Sequence, residues 1–387
     1  MTRRFILMGR TDPHFVRTSR HRRHCVHDCA RIACVTSSET ASVFVRNLNI
    51  GGTDTGSHRL EASDGVWTSI EAAESPSVGD IVVHADTAMP GLVDMHGHFG
   101  AGPYAVQMDV PLAHGTTTLC SQGDAGIGNF HEWRDACRHH AFRPLMAVNI
   151  GPDGERLTNC LGDVTDDFAD RIVDLTRQHH EDIRLVAVNL SERSLGPADP
   201  KRMFDIALDA ADRSGLPLML ALAPDHVLPI AVQLSALRAG DVVTYCYRSH
   251  PWCLFPPEGP NYEVRSALER GVLLDVAHGS EAFDEDIARR AVSHGYPPHI
   301  ISSGTKTAEL GHRRPLPIAR VMQRMAQAGM DIPSVLRAVT SIPSSVLGLT
   351  DGSGTIRLGG RADMTALDTS GPHWTARAVM ANGFPLI

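Results

Sequence analysis

From about residue 91 to residue 349, short apolar runs alternate with amphipathic segments, and this alternation constrains the fold more than any other feature of the chain. The runs are nearly continuous in apolar character, which is typical of strands that are buried on both faces of a parallel sheet. Helices that alternate with such strands cover the two faces. The number of units favours closure into a (β/α)8 TIM barrel of the α/β class, with an open doubly wound sheet as the alternative.

Individual segments show how these units begin and end. One helix is predicted from an apolar stripe at helical spacing, which comprises Val164, Phe168, Ile172 and Leu175. We expect this helix to end near residues 179–180. A second helix is predicted to begin at Pro200 and to end at Gly215. Strands are predicted over residues 183–190, 216–223, 242–247, 272–276 and 299–303.

Both ends of the chain have a different character. Short β-type segments such as residues 42–46 are separated by Gly-, Ser- and Thr-rich turns. A similar pattern returns after the last helical segment, at residues 354–364. We therefore expect a small β-sandwich module built from both chain ends, residues 42–90 and 350–387, beside a barrel of residues 91–349.

Residues 1–41 form a basic N-terminal arm that we expect to be disordered. Residues 1–33 contain eight arginines against Asp12 and Asp28, a formal charge of +6, whereas the remaining residues carry −14. A basic arm before an acidic body is more typical of a tail than of a nucleic-acid site. We expect no nucleic-acid partner.

The composition of the 387 residues, 42 % hydrophobic and 21 % charged, is that of a globular protein and excludes wholesale disorder. No apolar run approaches the roughly 18 residues that cross a bilayer. The apolar stretch at Phe5–Met8 is too short for the roughly 7-residue core of a signal peptide. The eight cysteines lack framework spacing and are expected to be reduced thiols. These features predict a cytoplasmic protein with no membrane partner.

The chemistry of the chain is concentrated at residues 90–98, which read Pro-Gly-Leu-Val-Asp-Met-His-Gly-His. Side chains alternate with period two along a strand, so His96 and His98 are expected on one side of the strand end. Chemistry in a barrel of this type lies at the carboxyl ends of the strands. The two imidazoles are therefore candidate metal ligands.

This motif closely resembles the first-strand signature of the amidohydrolase superfamily, in its dihydroorotase-like or amidohydrolase/deacetylase branch. The resemblance extends from about residue 42 to residue 385. Its further segments are Gly115–Thr118 with Asp124–Gly126, Gly215–Met219, Gly240–Thr244, Gly271–Gly279, Ile301–Ser303 and Gly354–Ile356 with Ala362–Asp363.

The resemblance implies a metal-dependent hydrolase of amides, cyclic imides and related C–N bonds. Its centre of one or two metals, usually zinc, is held by the His-x-His pair, a carbamylated Lys on strand four, one His each on strands five and six, and an Asp on strand eight. That Asp is also the general base. Two cations bridged by a carbamate lower the pKa of the water between them.

This chain departs from that pattern at four matching positions. The strand-four Lys falls at Ala187, the strand-five His at Ala221, the strand-six His at Tyr245 and the strand-eight Asp at Gly304. Lys306 stands where the branch typically has a His. The chain has two lysines, Lys201 and Lys306, and neither lies on strand four. The usual base and bridging ligand are therefore missing, and the catalytic residues are unknown.

Other side chains are candidates for the vacated positions. His278 is a possible third metal ligand beside His96 and His98. The substitutes considered near the strand ends are Asp124, Asn149, Asp225, His226, Tyr247, His250 and Asp275. A pocket is predicted from Tyr245, Tyr247, Arg248, His250, Asp225, His226 and Lys306. We expect no cofactor, or one weakly bound Zn if a third ligand is recruited.

Two functions follow from these residues. The first is a hydrolytically impaired binding or scaffolding protein, with a small-molecule ligand, that forms a homo-oligomer or associates with an active relative. The second is an active mononuclear-metal hydrolase of non-peptide C–N bonds, such as those of N-acyl amino acids or cyclic amides.

Overall fold

The protein is described by a computed structural model that covers residues 40–386, except for residues 101, 104, 107–108, 139, 156–157, 223–226, 250–252, 280–281 and 307–315. The predicted basic arm therefore lies outside the described residues, apart from its last two positions. None of the helices in the described ranges combines the length and the apolar character needed to cross a bilayer. The five cysteines within these ranges are free thiols.

The secondary structure follows the predicted order of β segments, strand–helix units and a β return. The strands before the barrel are β1 (Ala41–Val45), β2 (Asn49–Ile50), β3 (Thr53–Asp54), β4 (His58–Ser63), β5 (Val66–Ala72), β6 (Ile81–Val83) and β7 (Thr87–Pro90). The barrel strands are β8 (Leu92–Gly97), β9 (Thr116–Gln122), β10 (Arg143–Asn149), β11 (Ile183–Asn189), β12 (Leu218–Ala221), β13 (Val242–Thr244) and β14 (Leu273–Asp275). The last strands are β15 (Met364–Asp368), β16 (Thr375–Ala381) and β17 (Phe384–Pro385).

The helices follow or connect the barrel strands. They are α1 (Asp109–Ala113), α2 (Phe130–Cys137), α3 (Phe168–Gln178), α4 (Glu192–Leu195), α5 (Pro200–Ser214), α6 (Ile230–Ala236), α7 (Tyr262–Glu269), α8 (Glu285–Ser293), α9 (Ile318–Gln327), α10 (Ile332–Arg337) and α11 (Ser341–Val346).

The seven barrel strands form one parallel sheet in sequential order from β8 to β14. Residues 300–305 close it, because Ile300 forms a parallel bridge to Asp275 on one side and Thr305 forms one to Gly97 on the other. The backbone amide of His98 donates to the carbonyl of Thr305 at 2.8 Å. The predicted (β/α)8 barrel is confirmed, and the open doubly wound sheet is wrong because both edges of the sheet are paired. The segment predicted as an eighth strand is held by isolated bridges instead of a continuous ladder.

Strand residues alternate between a cluster inside the barrel and a larger one beneath the helices. The inner cluster contains Val93, Cys120, Leu145, Ala187 and Met219, all 1 % exposed or less. Neighbouring strands thus contribute to the same interior layers, as is usual for this architecture.

Helix α5 shows how local sequence fixes the boundaries of a unit. The Asp199 side chain accepts a hydrogen bond from the amide of Arg202 at 2.7 Å and caps the amino end of the helix. Gly215, with φ of +66°, ends it as predicted. Helix α3 begins at Phe168 and not near Val164, since the Val164 amide bonds to Leu161 in a preceding turn.

The two chain ends pack as two four-stranded sheets. One has the order β5-β4-β1-β6, and the other has the order β17-β16-β15-β7. In the second sheet Met364 of β15 lies opposite Pro90 of β7, which directly precedes the first barrel strand. This arrangement is the predicted β-sandwich module built from both ends of the chain.

Candidate active site at the mouth of the barrel

The mouth of the barrel is the rim formed by the carboxyl ends of its parallel strands, and both histidines of the His-x-His motif lie there at the end of β8. His96 is 0 % and His98 is 4 % exposed. Their ring centroids are 5.8 Å apart. The register of β8 against β9 shifts after Asp94, so the strand bulges at this point. Such a bulge bends the strand and changes the direction of its side chains, here those of the two histidines.

His96 is bonded to the protein through both ring nitrogens. The hydroxyl of Thr244 donates to Asp275 Oδ2 at 2.6 Å, so its oxygen accepts from Nδ1–H of His96 at 2.8 Å. This assignment leaves Nε2 as an acceptor, and the hydroxyl of Tyr245 donates to it at 3.0 Å. The chain of hydrogen bonds therefore runs from Tyr245 through His96 and Thr244 to Asp275.

Asp275 ends this chain inside the barrel. Its second oxygen, Oδ1, accepts from the hydroxyl of Ser302 at 2.6 Å. Burial raises the pKa of Asp275 to about 7, although the bonds from Ser302 and Thr244 oppose this rise. The pKa of His96 is lowered well below its usual value by burial and then by the positive charges of His98 and Lys306. His96 is accordingly a neutral imidazole with a fixed tautomer.

His98 has a carboxylate partner, Asp124, in the loop that follows β9. Its Nδ1 lies 2.8 Å from Asp124 Oδ1. Asp124 Oδ2 accepts from the amide of Phe99 at 2.9 Å and from the hydroxyl of Ser121 at 2.5 Å. Burial lowers the pKa of His98, but the charge and hydrogen bond of Asp124 outweigh it, so the net shift is upward. The two histidines thus have opposite electrostatic environments.

Two further charged residues, Lys306 and the buried Glu155, lie near the histidines at the mouth. The charge of Lys306 acts on His96, His98 and Glu155. Burial raises the pKa of Glu155, against the charges of His98 and Lys306 and a hydrogen bond with Asn189 at the end of β11. Residues from β8, β11 and the eighth-strand segment therefore meet at one rim.

Tyr245 owes its position to an unusual backbone conformation. Its φ is +64°, a region that a bulky residue rarely adopts. This conformation ends β13 at Thr244, short of the predicted strand end at residue 247. The guanidinium of Arg248 lies 5.4 Å from the centre of the Tyr245 ring, and its Nε donates to the carbonyl of Leu222 at 2.9 Å. Tyr245 and Arg248, both assigned to the predicted pocket, therefore lie in contact.

Other predicted site residues lie elsewhere. Tyr247 is fully buried in the cluster beneath the helices, with its hydroxyl 3.1 Å from the carbonyl of Tyr296. The His278 ring stacks on Phe283 with centroids 4.7 Å apart, and its Nδ1 bonds to the carbonyl of Gly279 at 2.7 Å. The predicted Asp225, His226 and His250 lie outside the described residues.

Among the described side chains, no group of three or more His, Cys, Asp or Glu residues could hold a metal ion, and His278 does not complete a set with His96 and His98. Both ring nitrogens of His96 are engaged, and a catalytic zinc ordinarily has three protein ligands.

Gly304, the residue matched in sequence to the usual general base, has no room for a side chain. Gly304 has φ of +62°, and a Cβ atom built on it would lie 2.6 Å from the backbone nitrogen of Gly279. Its own amide donates to the carbonyl of His96 at 2.9 Å. Glycine is therefore required here by close backbone packing.

Several residues of the site carried no signal in the sequence. The sequence does not single out Thr244, Ser302 or Glu155, because hydroxyls and single acids are common in every segment. It predicts Asp124 and Asp275 only as substitute ligands. A carboxylate at the end of a buried barrel strand, as at Asp275, is the one signal that could have identified a partner of His96.

A (β/α)8 barrel with a His-x-His pair at the end of its first strand and a flanking β-sandwich is the architecture of amidohydrolase-type proteins. No established protein-family profile matches the chain. A deacetylase of Agrobacterium fabrum is 30 % identical over 295 residues, which cover 72 % of this chain and 70 % of that protein. A deacetylase of Brucella anthropi is 28 % identical over the same shares.

Solved structures show the same fold. An adenine deaminase superposes with a TM-score of 0.77 at 19 % identity, over 89 % of this chain and 99 % of that one. A dihydroorotase gives 0.74 at 23 % identity, over 89 % and 98 %. The chain belongs to the amidohydrolase superfamily and is a homologue of its deacetylases.

Proposed function

We propose that this protein is a hydrolytically impaired member of the superfamily that serves as a binding or scaffolding protein. The observation that carries this proposal is the hydroxyl of Tyr245, 3.0 Å from Nε2 of His96. The hydroxyl stands at the position matched to the strand-six His and occupies the nitrogen that a metal would need.

The residues around Tyr245 are consistent with its hydroxyl taking the place of a metal at His96. Nδ1 of His96 is held by Thr244, so the ring cannot offer its other nitrogen without breaking a buried bond. Unpaired buried polar groups cost free energy, which favours the closed arrangement. At Gly304 the tight packing leaves no room for the carboxylate base. These features support a barrel that keeps its shape and its polar mouth without the usual means of activating water among the described residues.

The remaining features fit a binding role. Lys306 and Arg248 supply positive charge near buried histidines, which suits a small anionic molecule. We further propose that the protein is cytoplasmic, that it binds no cofactor or at most one weakly held Zn, and that it forms a homo-oligomer or associates with an active relative. Nucleic acid and membranes are not among its proposed partners.

Metal analysis and activity assays test this proposal together. The full chain is purified without added metal, its zinc content is measured by mass spectrometry, and hydrolysis of N-acyl amino acids and cyclic imides is assayed with and without added zinc. We expect zinc far below one equivalent and no zinc-dependent turnover. One equivalent of tightly held zinc together with turnover would overturn the proposal.

Tyr245→Phe is the matched variant for this test. It removes only the hydroxyl, so Nε2 of His96 becomes accessible to a metal. We expect zinc to bind this variant more tightly than the wild type in a titration, and His96→Ala in the same background to abolish the gain. Equal zinc affinity of the variant and the wild type would show that the hydroxyl does not exclude the metal.

One observation favours the alternative, an active mononuclear hydrolase. The carboxylate of Asp124 bonded to Nδ1 of His98 is the arrangement usual behind a metal-ligating histidine. Asp225 or His226 would then be the third ligand. This alternative predicts turnover that is lost in His98→Ala and in Asp225→Ala or His226→Ala.

A further inference from the structure

Gln122, the last residue of β9, faces the interior of the barrel at its mouth. Cys120, two residues earlier, belongs to the inner cluster. On the neighbouring strand β10, Leu145 is level with Cys120 and Ala147 is level with Gln122, and both are also in that cluster. Residues level with one another in parallel strands point to the same face, so Gln122 points inward.

The side-chain nitrogen of Gln122, Nε2, has no hydrogen-bond partner among the described residues. The residue is 2 % exposed, and Nε2 is buried without a hydrogen bond. Buried polar nitrogens are nearly always bonded in folded proteins, and exceptions indicate a missing water, an ion or a functional contact. Two N–H groups are therefore directed into the barrel mouth with no acceptor among the described residues.

The surroundings of Gln122 define what it could bind. The preceding residue, Ser121, is level with Gly97, which separates the two histidines of the motif. The charge of Lys306 acts on both of these histidines. An amide donor and an ammonium group therefore approach the same rim. A molecule that contacts both groups needs an acceptor oxygen for the amide and a negative charge to attract the ammonium group.

We propose that Gln122 is a ligand-binding residue that donates a hydrogen bond to the carboxylate of a small molecule held at the mouth together with Lys306. This inference rests on the proposed binding function and specifies its ligand class. The amide selects an oxygen acceptor, and the lysine favours the carboxylate over a neutral carbonyl. Neither group is assigned a catalytic step.

Calorimetric titration of the full chain in the presence of a chelator tests this assignment. The probes are acetate, benzoate, succinate and N-acetylglycine, each compared with its uncharged amide. We expect at least one carboxylate to bind saturably and more tightly than its amide. Gln122→Leu, which keeps the volume but removes the donor, should weaken that binding by at least about tenfold. Lys306→Met should remove the preference for the carboxylate over the amide.

Thr118→Val is the matched control. Thr118 lies on the same strand and inner face, four residues from Gln122 toward the amino end, and its hydroxyl is also buried without a partner. We expect this variant to bind the carboxylate as the wild type does. A melting temperature of Gln122→Leu that is equal to or above that of the wild type would agree with a donor that has no structural partner.

Two results would overturn the inference. These are failure of every carboxylate to bind the wild type, and unchanged affinity in Gln122→Leu, with or without a fall in its melting temperature. Unchanged affinity is also the result expected if a buried water satisfies the amide. Because the titrations are done without free metal, their failure is distinct from failure of the proposed function, which is measured by zinc content and turnover.

Discussion

The Oγ1 atom of Thr244 lies 2.8 Å from Nδ1 of His96, and this contact fixes the orientation of the histidine. Since the same hydroxyl donates to Asp275, it can only accept from His96. One threonine thus determines which nitrogen of the imidazole carries the proton and which nitrogen receives the hydroxyl of Tyr245. The tautomer of His96 and its hydrogen bond with Tyr245 both depend on the contact between Thr244 and His96.

Thr244→Val should destabilise the protein by about 2–4 kcal/mol, because it leaves both His96 Nδ1–H and an oxygen of Asp275 without their partner. The loss should be larger at pH 8 than at pH 5, since the ionised carboxylate of Asp275 needs the donor more than the protonated form does. Urea denaturation at the two pH values measures both effects. Thr118→Val, whose hydroxyl has no partner, is the control and should change stability little. A loss that is the same at both pH values would contradict the assigned direction of the Thr244–Asp275 bond.

Asp275→Asn should change how stability depends on pH. The pKa of Asp275 is raised from 3.8 to about 7 in the folded protein, so the folded state holds this proton more tightly than the unfolded state does. Its contribution to stability is full below about pH 4 and is lost as the pH rises through about 7. The advantage of the wild type over the variant should therefore shrink between pH 5 and pH 7, by up to about 1.4 kcal/mol per pH unit.

Unfolding free energies of the two proteins, measured at intervals from pH 5 to pH 8, test this prediction. Asp94, whose pKa is raised to about 6 by burial, is present in both proteins and also raises the pKa of Asp275, so Asp94→Asn is measured alongside to separate the two carboxyl groups. Parallel pH profiles of the wild type and the variant would show that Asp275 does not titrate in this range.

Asp124→Asn should lower the pKa of His98, because it removes the negative charge that outweighs the burial of the ring. The variant should also be less stable by about 3 kcal/mol, as is usual when one partner of a buried charged pair is removed. A nuclear magnetic resonance titration of the His98 ring measures the pKa. Asp135→Asn breaks an exposed ion pair with Arg138 and should leave both quantities nearly unchanged. An unchanged His98 pKa in Asp124→Asn would contradict the prediction.

Gly304→Ala should be far more costly than Gly215→Ala, although both glycines have similar φ angles of +62° and +66°. A Cβ at Gly215 meets nothing within 4 Å, whereas one at Gly304 lies 2.6 Å from the Gly279 nitrogen. We expect about 1 kcal/mol for Gly215→Ala from its backbone conformation alone. Gly304→Ala should cost about 2 kcal/mol more because of the clash.

Thermal denaturation of the two glycine variants decides this comparison. Gly304→Asp, which places a carboxylate at the position matched to the strand-eight Asp of the superfamily, should be at least as destabilised as Gly304→Ala and should not gain hydrolysis. Equal costs at the two glycines would show that the backbone around Gly279 can move aside.

Much of the fold was predictable because it depends on local patterns. Apolar strands separated by amphipathic helices require a covered parallel sheet, and the boundaries of α5 follow from Pro200 and Gly215. Some strands are shorter than the sequence predicts, because the tertiary structure ends them early. Strand β13 ends at Thr244 because Tyr245 adopts a positive φ, and the eighth segment is held by bridges at Ile300 and Thr305.

The sequence by itself determined the barrel, the composite β-sandwich and the pair of histidines at the first strand end, because each of these depends on residue type at a recognisable place. Only the tertiary structure decided what the histidines contact. Thr244 and Tyr245 are 148 and 149 residues from His96 along the chain. Closure of the barrel brings the ends of distant strands to one rim, and the side chains that then lie within hydrogen-bond distance depend on strand register and on a single positive φ, neither of which is encoded in a local pattern.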